Sequence, residues 1–115
     1  SMTEVEIIQG GVLKVGDTGP SLRLRLINEN GDPENLTGFT QTLNVKKSNA
    51  EDNAVDAGSM TILDAETGLV EYDWQDGDTD EAGVYEAEVK STDGTDTISY
   101  PNDHFFRINI MEDLS

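Results

Sequence analysis

Five carboxylates crowd one short stretch of the chain: Asp73, Asp76, Asp78, Asp80 and Glu81. Calcium takes about six to eight oxygens at one centre, so this stretch is the first candidate for a cation site. The run Asp76-Gly77-Asp78-Thr79-Asp80 has the look of a calcium loop, but it lacks the alternating ligand order that ends in a bidentate glutamate. Asn28, Asn30 and Asp32 form a weaker cluster of the same kind. In a chain with 24 acidic residues such clusters arise by chance, and no metal ligand is assigned. His104 is the sole histidine, which excludes a two-histidine metal site, and no serine lies in a Gly-x-Ser-x-Gly turn. Without cysteine there is no thiolate nucleophile, no cysteine zinc site and no disulfide. Carboxylate pairs are everywhere, but nothing marks one as buried with a shifted pKa. No catalytic, cofactor-binding or metal residue is assigned, and the chain reads as a non-enzyme.

Arg23 and Arg25 are two of only seven basic residues and lie two apart. On a strand that spacing puts both on one face, where they make either a small anion site or cross-strand pairs with Glu71 and Asp73. Pairing is the preferred reading.

The elements that hold these residues follow period two, and no useful stretch shows a helical stripe. Leu22, Leu24 and Leu26 share one face, with Arg23 and Arg25 on the other, which describes a half-buried antiparallel strand. Asn30-Gly31 and Asp32-Pro33 then form a turn. Phe39, Gln41, Leu43 and Val45 make the next apolar side, interrupted once at Gln41. Residues 48–58 read as a long loop or a poorly ordered edge. Met60 and Ile62 start a short strand, and Val70, Tyr72 and Trp74 alternate along the next. After the acidic turn come Tyr85, Ala87 and Val89, then the Asp93-Gly94 turn, residues 97–100, and a last strand with Phe106, Ile108 and Ile110 on one side. Val5 and Ile7 alternate with Glu4 and Glu6 near the start. About seven short strands with frequent turns predict an all-β, immunoglobulin-like antiparallel sandwich. Residues 1–115 are expected to form one domain, with Ser1 read as a protease scar.

Net charge is −17, from 24 acidic residues against seven basic ones. A surface of that sign repels phosphate backbones and anionic lipid, so neither a nucleic-acid nor a membrane partner is expected. No apolar run approaches a membrane span and no export signal opens the chain. The acidity reads either as adaptation to high salt or as an ordinary acidic protein; the lysine shortage and modest aliphatic content favour the first.

The segment Glu81-Ala82-Gly83-Val84-Tyr85-Glu86-Ala87 resembles the acidic-x-Gly-x-Tyr-x-Cys corner of immunoglobulin domains, in which a tyrosine hydroxyl bonds to backbone a few residues upstream. Ala87 stands at the disulfide cysteine's place. With Gly16-Asp17-Thr18, residues 31–38 (GDPENLTG), Gly68-Leu69-Val70-Glu71-Tyr72, Ala82-Gly83-Val84-Tyr85, Asp93-Gly94 and Tyr100-Pro101 in order, the chain resembles the immunoglobulin-like N-terminal domain of siphophage baseplate upper proteins. That resemblance implies a virion structural module at the tail baseplate or capsid surface, assembled in the host cytoplasm. Its partners would be other virion proteins, with self-association open, and no cofactor is implied. Together with the salt reading it points to a tailed virus of a halophilic archaeon. The rival expectation is a secreted or cell-surface adhesion module binding glycans or protein, with calcium as an option and Phe105 as its one exposed aromatic candidate.

Overall fold

The structure, a computed structural model, describes residues 2–114; Ser1 lies outside the described residues. Ten strands follow one another: β1 (Glu4–Gln9), β2 (Val12–Lys14), β3 (Leu22–Ile27), β4 (Thr40–Lys47), β5 (Val55–Ser59), β6 (Thr61–Asp64), β7 (Leu69–Tyr72), β8 (Gly83–Thr92), β9 (Thr97–Tyr100) and β10 (Phe106–Met111). They form a four-stranded sheet, β1-β3-β7-β6, and a six-stranded sheet, β2-β10-β8-β4-β5, with β9 on the far half of β8. Strands B and E at the centre of one sheet and C, F and G in the other make up the immunoglobulin sandwich; β3, β7, β4, β8 and β10 respectively take those places. The all-β sandwich expected from the alternation is present, with ten strands where about seven were expected.

The difference lies in short elements. β2 has three residues, too few for periodicity to reveal, whereas the four-residue β6 is the short strand expected from Met60 and Ile62. β2 also runs parallel to β10, so the six-stranded sheet is mixed and not purely antiparallel. Part of the segment read as a loop is β5, an edge strand that pairs β4 through a register shift between Leu43 and Val45. A bulge of that kind breaks the two-residue rhythm by which a strand is recognised.

Alternation elsewhere dictates the core. β3, and β8 from Tyr85 onward, read buried and half-exposed in strict turn. Leu22, Leu24, Leu26, Leu43, Val45, Val70, Tyr72, Trp74, Tyr85, Ala87, Val89, Phe106, Ile108 and Ile110 belong to one buried cluster, joined by Leu13, Leu36, Val55 and Tyr100, whereas Phe39 and Met60 are half-buried and Ile62 is exposed. Gln41, the break in the apolar side of β4, is buried opposite Ser91 of β8 and donates to its hydroxyl at 3.0 Å. The Gln41 amide oxygen is buried without a partner among the described residues, so the bond to Ser91 offsets only part of the cost of burying this side chain.

Between β1 and β2 the chain leaves one sheet for the other. Gly10 makes that step at φ 81°, where a Cβ would lie 2.3 Å from the Ser21 carbonyl oxygen. Gly16, at φ 85°, has open space around it. The two positions separate backbone conformation from steric contact. Gly16→Ala is expected to cost about 1 kcal/mol, the preference for glycine at positive φ. Gly10→Ala must also displace backbone and should cost roughly 1–3 kcal/mol more. Urea unfolding of both variants checks this, and equal costs would mean that the β1-to-β2 step is not sterically fixed.

Candidate functional site

The six-stranded sheet is organised on β8. Its first half pairs β10, its second half β9, and its other edge pairs β4 from Lys47↔Tyr85 to Thr40↔Thr92. Tyr85 begins the buried side of this strand, and its hydroxyl donates to the Glu81 carbonyl oxygen. Burial, reinforced by the nearby Glu81 charge, pushes the phenol pKa up, so the hydroxyl keeps its proton and its role as donor. This is the corner that the Glu81–Ala87 motif predicted.

The acidic stretch before it is built into the same turn. Tyr72 donates to Asp78 Oδ2 at 2.6 Å, and that oxygen also accepts the Gln75 backbone N–H at 2.8 Å. The Tyr72 ring meets Trp74 edge-on, with centroids 5.4 Å apart. Asp73 accepts from the Ser21 hydroxyl, and Glu81 pairs with Lys47 at 2.7 Å. Asp73, Asp78 and Glu81 are therefore spent on separate structural partners, while the side chains of Asp76 and Asp80 make no hydrogen bond or ion pair among the described residues. No group of three or more His, Asp or Glu that could hold a metal occurs among the described residues. In the second cluster, Asn28 Oδ1 accepts the N–H groups of Asn30 and Asp32, which closes the turn before β4.

Arg23 lies opposite Glu71 and donates to its Oε1 from both Nε and Nη2, at 3.1 and 2.9 Å. Arg25 departs from the expected pairing. The register puts Leu69 opposite it, two residues short of Glu71 and four short of Asp73, so it donates to the Thr67 carbonyl oxygen at 3.0 Å and approaches Glu6 at 3.7 Å. His104 is exposed, with Nδ1 2.6 Å from Asp103. None of these groups is aimed at a shared reaction centre.

The features that do gather in one place lie on the outward side of the six-stranded sheet. Lys46, Glu86 and Arg107 form one cross-strand row across β4, β8 and β10. Asn44 and Glu88 form the next row, with Asn44 donating to Glu88 at 3.3 Å. Val12, Asn109 and Val84 form another, beside Met111. Phe105, 51% exposed, stands as a ridge between two shallow hollows. One, of about 210 Å³, is lined by Lys46, Asn53 and Glu86 among others; the second, of about 280 Å³, by Lys90, Ser99 and His104 among others. Sequence reading singled out Phe105 but missed the surface around it. The outward positions of the strands carry the signal, once their pairing is known.

A family model described as the BppU N-terminal domain matches residues 4–114. No curated protein matches the chain.

The Tyr85 corner generates a direct expectation. Tyr85→Phe leaves the Glu81 carbonyl without its donor and should cost on the order of 1–3 kcal/mol in urea unfolding. Wild-type stability in this variant would mean that the hydroxyl does not fix the crossing between the sheets.

Proposed function

The chain belongs to the family of BppU N-terminal domains, the opening domain of baseplate upper proteins, and on that premise we propose that it is a structural module of a phage baseplate that works by attachment to other virion proteins and not by catalysis. The observation that carries this reading is the match over residues 4–114, which takes in every strand of the sandwich. The side chains support it as well. The polar groups best able to do chemistry are engaged in turn closure and cross-strand pairing, whereas the broad outward side of the six-stranded sheet offers apolar and charged groups to a partner.

Placement in the tail baseplate after assembly in the host cytoplasm follows from the same premise, and protein is the partner class. The acidic surface speaks against nucleic acid and anionic membrane. No helix of the described residues is long and apolar enough to cross a membrane. The rival reading, a glycan-binding adhesion module, draws support from the exposed Phe105 beside a hollow with amide and charged walls. Mass spectrometry of purified virus particles separates the two. The chain is expected among the tail proteins in fixed stoichiometry, and its recovery only from the surface fraction of cells would overturn the baseplate reading.

The acidity extends the reading to the source, a virus of a halophilic archaeon. Seven cations cannot neutralise 24 carboxylates, so most negative charges on the domain face no cation. At roughly 0.01 M salt the screening length is about 30 Å, comparable to the domain's 43 × 26 × 24 Å extents. At about 1 M salt it falls to roughly 3 Å. The melting temperature should therefore climb with potassium chloride well beyond about 0.5 M, and a melting temperature flat from about 0.1 M upward would remove the halophilic source.

A further inference from the structure

The seven cations divide by face. Arg23, Arg25 and Lys47 each lie within ion-pair distance of a carboxylate, on Glu71, Glu6 and Glu81. The other four, Lys14, Lys46, Lys90 and Arg107, take outward positions on the six-stranded sheet. Lys90 bonds the Ser99 hydroxyl at 2.7 Å and also lies within ion-pair distance of Glu88, at 3.9 Å. Lys14, Lys46 and Arg107 close no ion pair among the described residues. Strands β2, β10, β8 and β4 hold only two carboxylates between them, Glu86 and Glu88. The fifth strand, β5, adds one more carboxylate, Asp56, and Asp103 lines the rim beside Phe105. On a chain of net charge −17 this face is close to charge balance, four cations against these four carboxylates.

We propose that this face is where two copies of the chain pair, sheet against sheet about a twofold axis. Two bodies that are each strongly negative repel least where their carboxylates are fewest, and here that surface also carries the exposed apolar side chains Val12, Val84, Met111 and Phe105. A twofold contact requires a self-complementary surface. Glu86 sits between Lys46 and Arg107 in one row without an ion pair of its own, so each copy offers both signs to the other. The shape is self-complementary too, because the Phe105 ridge lies beside hollows that a second Phe105 can enter. With the five strands about 4.8 Å apart and three to ten residues long, the face is roughly 500 Å² per copy, about 1,000 Å² in the pair, the size of a weak specific interface. The pairing does not depend on the baseplate reading.

Sedimentation equilibrium of the full chain tests it. At about 0.15 M salt and above, where charges more than roughly 8 Å apart are screened, the mass should approach twice the 12.5 kDa of one chain. Lys46→Glu with Arg107→Glu, and separately Glu86→Lys with Glu88→Lys, should each weaken association tenfold or more, and mixing the two variants should restore it. Thermal melts check that each variant folds; if one does not, Val84→Asp, at a 42% exposed position, should weaken association on its own. A chain that stays monomeric at every salt concentration overturns the proposal, as does a dimer indifferent to all three changes. A monomer whose face is instead protected by a different acidic protein overturns it in the same way.

Discussion

The bond from the Tyr85 hydroxyl to the Glu81 carbonyl oxygen holds the last point at which the chain passes from the four-stranded sheet to the six-stranded one. Everything after Tyr72 depends on that crossing being made in one register. With Tyr85 turned inward, Ala87 and Val89 follow it into the core, while Val84, Glu86 and Glu88 must face out. A slip of one residue would exchange the two sets. Because β4, β9 and β10 all pair with β8, the same choice propagates to their outward residues. Immunoglobulin domains commonly add a disulfide at this place. Here Ala87 occupies it, and packing with one hydroxyl bond must suffice.

Where a strand is long and its alternation clean, the amino-acid sequence reveals both the element and the direction of its side chains, as with Leu22, Leu24 and Leu26 on β3. Four core members escape such a reading, each for a physical reason. Leu13 lies on three residues of strand, and Val55 begins a strand that a bulge has put out of rhythm. Leu36 is an isolated apolar residue in a polar loop, held by its N–H to the Ala65 carbonyl oxygen. Tyr100 ends a short strand, its hydroxyl bonded to Glu34. Arg25 shows the limit of face-matching: it shares a face with Arg23, but partners are set by register, which a single sequence does not state. The candidate surface was less legible still. It consists of outward residues from separate strands, and only the strand order brings them together.

The two sheets of the sandwich treat charge differently. On the four-stranded sheet the arginines are tied down locally, Arg23 to Glu71 and Arg25 to Thr67 and Glu6. Exposed pairs of that kind contribute little stability, but they keep the residues from competing for other partners. On the six-stranded sheet Lys47 and Lys90 are held by Glu81 and by Ser99 and Glu88, but Lys14, Lys46 and Arg107 close no ion pair among the described residues and stand beside apolar side chains. A protein surface that leaves charge unpaired next to exposed Val84, Met111 and Phe105 is suited to association. Fold alone would not assign that role, since immunoglobulin-like sandwiches serve many functions. Membership in the baseplate family and the uneven charge distribution point the same way from independent directions.

Sequence alternation, the β8 register and the outward face form one chain of cause, and the proposed end of it is assembly into a particle. A density map of the tail tip from particles that carry this chain reads that end point directly. The account predicts a two-sheet sandwich about 43 Å long within the baseplate, with the outward side of its six-stranded sheet, around Phe105 and Arg107, covered by a second copy. The account would be contradicted by a baseplate without this sandwich, or by one in which that side faces solvent and the acidic, ion-paired sheet makes the contacts.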